Sequence, residues 1–344
     1  MSEDDSNNDF NPFSNSLTSF NQKTKLESIY SKIKKTLFII LFGHFLTILY
    51  TVNHNLLEKI KSSFNFPILL NSFYFLSFGI FWLIFQHRFS KVNSYNIFII
   101  ILHSQYIFFY NTACNDKNLI DFTLIFYLIC IIFTFIFNFI FFSKIKNSIV
   151  HLIGILIVLL GILYIYFFTN TFKKDNLKEI KEHITTLIFI VISSICFSLS
   201  ILLIQRYLKK TDILEFYPLY GILEGIILFF QSFIFKEPIS FFKEEVIIFK
   251  TLGLIIIFVI CSFIFIGLYP YLIQSTSAGI FNINLCSFIF WNYLLFEYNY
   301  NYNYFIGYLI IFFGIILFSF KNSGLINLKK QKDDLPSLTI SEYD

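Results

Sequence analysis

The chain has 344 residues, of which 56% belong to the AVILMFWYC set and only 14% are charged, with a mean hydropathy of +0.69. A soluble domain carries roughly a quarter charged residues, so this composition cannot cover a water-facing surface, and both an ordinary soluble enzyme and a disordered chain are excluded. The net charge of +4 is too small to imply a nucleic-acid partner, which leaves an all-α polytopic protein whose first partner is the lipid bilayer.

Residues 1–35 are polar and rich in Asn, Ser and Asp, and read as a disordered N-terminal tail with no cleaved signal. Asn11-Pro12-Phe13 within it matches a sorting triplet that an Asn-rich stretch also yields unaided. From Thr36 onward apolar segments recur over 36–53, 66–86, 96–113, 119–142, 149–168, 184–205, 216–235, 247–270, 276–296 and 305–321. Each is near the length that a tilted transmembrane helix needs. Membrane barrel strands would instead alternate polar and apolar over ~10 residues. Residues 169–183 form a polar linker between two sets of five spans, and 322–344 a polar C-terminal tail.

With ten spans both termini share a side. That side carries sixteen Lys and Arg against ten on the other, including Lys144, Lys146, Arg206, Lys209 and Lys210 in short loops. The positive-inside rule therefore expects both termini in the cytoplasm. Plasma membrane and endomembranes stay equally open.

An internal repeat divides the chain. LIGILIVLLGI over 152–162 echoes IGYLIIFFGI over 306–315, with Gly154 and Gly161 each 153 positions from Gly307 and Gly314. Thr36-Leu37 and Thr186-Leu187 form a second echo at an offset of 150. Two repeats of five spans, 36–168 and 184–321, enter the membrane with opposite orientation, and such inverted repeats build transporters with a site near the midplane. The glycines of each pair lie seven apart on one helical face and allow close helix approach, a structural role.

Polar residues within spans face a bundle interior or a cavity. His44, Thr47 and Thr51 form a stripe in the first span, and Tyr127 lies on a polar face of the fourth. The seventh carries Tyr220 and Glu224; the ninth has two faces, one with Asn284 and Ser287, the other with Asn282. Single Ser, Thr and Asn side chains also serve as helix–helix contacts. Glu224 is different, because an ionised carboxylate mid-span needs a partner; it suits a cationic substrate, a proton, or a structural hydrogen bond in its protonated form. His44 and His103 are candidate proton carriers or satisfied packing residues. The five cysteines show no metal spacing, and no phosphate-binding Gly-Lys-Ser/Thr loop occurs, so neither a metal nor a cofactor is expected. No nucleophile–base pair is readable, and an enzyme is not expected.

These residues carry a family resemblance. Gly43-His44-Phe45-Leu46-Thr47, then Pro67 and Asn71-Ser72-Phe73, resemble the opening of solute carrier family 35, subfamily F, in the drug/metabolite transporter superfamily. Val150 to Ile155, Glu215-Phe216 with Gly221 and Gln231, Gly267-Leu268-Tyr269, and Thr276-Ser277-Ala278 with Asn282 are similar to its later signatures. The resemblance implies ten helices in two inverted five-helix repeats and transport of a small organic solute, nucleobase-, nucleotide- or sugar-nucleotide-like. The chain departs from the pattern at Leu128 and Ile289, where the family keeps acids, at His103 and Gln105, which replace an acidic pair, and at Glu224, which replaces Gly. The expected activity is alternating access between the repeats; the alternative is a transport-inactive scaffold or sensor on the same fold. Self-association into a homodimer is left open.

Overall fold

A computed structural model of the protein describes residues 12–63, 66–86, 92–113, 119–141, 149–168, 177–238, 245–296 and 302–322. All regular structure among them is helical: α1 (Pro12–Ser63), α2 (Pro67–Gln86), α3 (Ser94–Ala113), α4 (Leu119–Phe141), α5 (Ile149–Phe168), α6 (Leu177–Leu208), α7 (Ile213–Ser232), α8 (Glu245–Ser275), α9 (Ala278–Leu285), α10 (Phe288–Phe296) and α11 (Tyr302–Asn322), with one 3-10 turn at Phe233–Phe235. The segment Ala278–Phe296 and six single helices are long and apolar enough to cross a membrane. The apolar parts of α4 and α5, Ile125–Phe141 and His151–Ile165, are shorter, and α3 carries His103, Ser104, Gln105 and Asn111 within its length. Leu152, Leu156, Leu160 and Leu163 on α5, and Ile256, Ile257, Ile260 and Ile264 on α8, are exposed. A soluble monomer rarely leaves such apolar stripes uncovered, whereas lipid covers them. The protein is thus an all-helical, multi-pass membrane protein.

Three boundaries differ from those expected from hydropathy. Residues 12–35 belong to α1 and are not a tail; between Phe13 and Ser63 the sequence holds no Pro and a single Gly, so no residue type interrupts the helix. Residues 1–11 and 323–344 of the expected tails, with residues 169–176 of the expected linker, lie outside the described residues, while 177–183 open α6. The ninth expected span is two helices, α9 and α10, separated at Cys286–Ser287.

Local chemistry fixes several ends. Asp212 accepts the Leu214 N–H (3.1 Å) and starts α7. Ser277 accepts the Ile280 N–H (3.3 Å), and Gln205 Oε1 accepts the Ala278 N–H (3.1 Å), so α9 begins with its first donors used. Pro67 occupies the first position of α2, where no N–H is required. The next two N–H groups, of Ile68 and Leu69, donate to the Glu237 carboxylate at 3.4 and 2.7 Å. Lys236, in a left-handed conformation (φ 57°), turns the chain so that Glu237 reaches them.

The most extensive helix pairs are α2 with α7, α5 with α11, α3 with α6, α1 with α8 and α4 with α6, and α1 also lies along α9 and α10. Two of these pairs are backbone-close. On the α5–α11 seam, a Cβ at Gly161 would lie 3.0 Å from the Gly307 carbonyl oxygen, and one at Gly314 would lie 2.8 Å from that of Gly154. On the α2–α7 seam, a Cβ at Gly79 would meet the Ile222 nitrogen at 2.4 Å. The glycines that form the sequence echo therefore face one another across one seam.

Candidate functional site

A cavity of about 850 Å³, counting its open mouth, lies between the helices. Side chains from α1, α2, α3, α4, α6, α8 and α9 reach it. Its wall is mostly aromatic, with Tyr74, Tyr106, Tyr127 and Tyr269 buried and ringed by Phe75, Phe126, Phe258 and Phe281. Polar groups enter at intervals: Asn53 and His54 from α1, Asn71 from α2, His103 and Asn111 from α3, and Ser262 from α8. Asn53 and Ser262 hydrogen-bond to each other, Asn53 Nδ2 donating to Ser262 Oγ at 2.8 Å. Among the described residues no Lys, Arg, Asp or Glu lines the cavity.

Behind one wall sits a buried acid. Glu224 on α7 is fully buried, and its Oε1 lies 2.5 Å from His103 Nδ1 on α3. Tyr220, one helical turn earlier on the same face of α7, places its hydroxyl 3.0 Å from the same nitrogen. Tyr269 on α8 donates its hydroxyl to that of Tyr220 at 3.1 Å, so His103 and Tyr269 connect the acid to the cavity. Glu224 Oε2 is buried and has no hydrogen bond among the described residues. Gly221 and Gly225 flank the acid and let α2 press on α7, where Ser72 Oγ donates to the Gly225 carbonyl at 2.9 Å. That close approach removes water from around the carboxyl.

Of the residues singled out from sequence, the structure brings Glu224, His103 and Tyr220 into one network and puts Tyr127 in the cavity wall. Five others lie elsewhere, along the seam between α1 and the α9–α10 break. Thr47 Oγ donates at 3.0 Å to the Asn284 carbonyl, which at the helix interruption also accepts the Ser287 N–H at 3.0 Å. Ser287 Oγ donates to the same carbonyl at 2.7 Å, Thr51 Oγ donates to the Thr47 carbonyl at 2.8 Å, and Asn284 Nδ2 donates to the Ile280 carbonyl at 2.8 Å. Trp291 Nε1 donates to His44 Nδ1 at 3.3 Å. An indole is a donor only, so Nδ1 must accept and the imidazole proton sits on Nε2; a doubly protonated ring would break this bond. Asn282 faces a smaller space between α4 and α9, where its Nδ2 donates to Thr134 Oγ at 2.6 Å. Leu128 is half-buried against the core and Ile289 is buried, so no carboxylate stands at either position.

The second and eighth spans were not read as contributing, yet Asn71, Tyr74, Ser262 and Tyr269 come from them. Asn71 and Ser262 carry a signal in being polar within apolar runs. Tyr74 and Tyr269 carry none, because 21 Tyr and 50 Phe are spread through the whole sequence. Glu237 was also missed; its role depends on a helix start 168 residues away.

No known family profile matches the chain, and no curated protein does. Solved structures do: one crystal structure superposes over 83% of this chain and 99% of its own, at 13% identity and a TM-score of 0.53. At that identity the likeness concerns the fold alone.

Proposed function

We propose that the chain is a membrane transporter of a small organic solute, working by alternating access between two inverted five-helix halves. The observation that carries this reading is the cavity, lined by aromatic and polar side chains from both halves. The packing pattern supports two halves. Exchange α1 to α5, in order, with α6, α7, α8, the α9–α10 pair and α11. The α3–α6 contact then becomes α8–α1, and α4–α6 becomes α9/α10–α1, both of which occur. The α2–α7 and α5–α11 pairs map onto themselves, and both are the backbone-close seams. The ordered sequence signatures, which resemble those of solute carrier family 35, subfamily F, in the drug/metabolite transporter superfamily, support the same reading. Lysine and arginine placement supports an orientation with both termini in the cytoplasm.

Proteoliposomes holding the purified chain test the reading. A metabolite panel is expected to yield at least one solute with saturable uptake, lost in Ile107→Trp, which sets an indole into the cavity. A folded protein that moves no member of the panel, and whose Ile107→Trp variant behaves identically, would favour the transport-inactive scaffold instead.

A further inference from the structure

We infer that the small space between α4, α5, α9 and α11 is a second binding site, which takes the hydroxyl-bearing end of a sterol from the surrounding lipid. The space shares no lining residue with the central cavity. The inference therefore stands on the membrane-protein fold and does not rest on the transporter reading.

The space measures about 280 Å³, counting its open side, and its wall is apolar apart from Thr134, Asn138 and Asn282. Asn282 is only 1% exposed. Its Nδ2 donates to Thr134 Oγ at 2.6 Å, while its Oδ1 is buried with no hydrogen bond among the described residues. Native proteins rarely leave a buried amide oxygen without a donor, because it has lost water and gained nothing in return. A guest hydroxyl supplies that donor. It also accepts, and the Thr134 hydroxyl keeps a hydrogen to give, so one guest O–H pairs with both side chains. A hydroxyl serves the amide equally well with its nitrogen and oxygen exchanged.

The surroundings narrow the guest further. No Lys, Arg, His, Asp or Glu lines the space among the described residues, so a phosphate or ammonium headgroup would find no partner there. At 1.5 Å per residue, Asn282 lies about 6 Å in from the start of α9, Thr134 about 10 Å from the end of α4, Ile155 about 9 Å from the start of α5 and Phe318 about 6 Å from the end of α11. Because these residues meet in one space, the four helix ends lie at one face of the membrane. The space is thus in the shell just inside the headgroups, where an embedded sterol keeps its hydroxyl and sinks its rings toward the bilayer centre. Entry is from the side. Ile132 and Ile136 on α4 and Leu152 and Leu156 on α5 are exposed to lipid, and α5 packs chiefly on α11 and only lightly on α4. A rigid ring system suits walls of Ile and Phe, since a flexible chain would lose rotamer freedom on ordering there.

The test uses the full chain in sterol-free phosphatidylcholine nanodiscs and a sterol with a photoreactive diazirine on its second ring and a free 3β-hydroxyl. Labelled peptides are expected from α4, α5, α9 or α11 at this space, and unlabelled cholesterol should compete. 5-Cholestene, which lacks only the hydroxyl, should compete about tenfold less well, the effect of one hydrogen bond to a buried amide. Asn282→Leu should weaken labelling by a similar factor and remove the difference between the two competitors. Labelling confined to other helices, equal competition by 5-cholestene, or unchanged labelling in Asn282→Leu would overturn the inference. If Asn282→Leu does not fold, Ile155→Phe fills the space from α5 and must abolish the label; a label that persists overturns it. A wild-type protein that takes no label, with water alone against the Asn282 amide, overturns it as well.

Discussion

Two polar side chains outside the cavity show how single residues support the fold. Thr47 reaches the Asn284 carbonyl, which at the break in the ninth span also accepts the Ser287 N–H and hydroxyl. Thr47→Val keeps the shape and removes one of three donors, so stability should fall by about 0.5–1.5 kcal/mol, read as a lower Tm in detergent. Solute affinity should not move, because Thr47 does not line the cavity. Glu237 acts through charge. Burial pushes its carboxyl up from the ordinary 4.5 to about 7, against the two backbone N–H bonds that favour the ionised form. A raised native value means that the folded protein keeps a proton the unfolded chain has lost. Stability is therefore fully present below about 4.5 and declines as pH rises toward 7, by no more than about 3 kcal/mol. Thermal melts between pH 5 and 7.5 should show this decline in the wild type and a flatter profile in Glu237→Gln. Equal slopes in the two proteins would remove Glu237 from the pH response.

Helices meet where side chains are missing as much as where they interlock. Gly161→Val would drive a branched side chain into the Gly307 carbonyl and the backbone nitrogen of Ile311, both 3.0 Å from its Cβ position. Overpacking of that kind costs about 1–3 kcal/mol, and Gly314→Val should cost a similar amount across the same seam. Gly253 is the control, since nothing lies within 4 Å of its Cβ position; Gly253→Ala should raise stability by about 0.5–1 kcal/mol through helix propensity. A matched set of melts separates close approach from propensity. Hydropathy alone made the helices legible, and the glycine echo marked two helices suited to close approach without showing that they approach each other. It could not find the break at Cys286–Ser287, because Ala278 to Phe296 is continuously apolar enough to read as one span. Nor could it separate faces. Outward residues meeting lipid and inward residues meeting the core are both Ile, Leu and Phe here, so periodicity carries little information. Glu224 stood out because acids are rare mid-span. Its partner His103 is 121 positions away, and nothing in the sequence joins the two.

At the scale of the whole molecule, the arrangement of charge sets a testable topology. Lys210, between α6 and α7, and Lys236, after α7, lie at opposite ends of one helix, and both are exposed. Single cysteines at these positions should be labelled by an impermeant maleimide from opposite sides of the membrane, Lys210→Cys from the cytoplasm. Labelling of both from one side would remove α7 as a membrane crossing. The two glycine seams bear on motion. At each, glycines let two backbones approach closely, while the side chains of Ile165, Val158, Ile311 and Leu76 sit in the gaps that the glycines leave. Interlocked side chains must be lifted out of their sockets before helices can turn over one another. The two seams are therefore keyed joints, in which a missing Cβ is the socket for a branched side chain opposite, and sliding along them would have to draw those keys out.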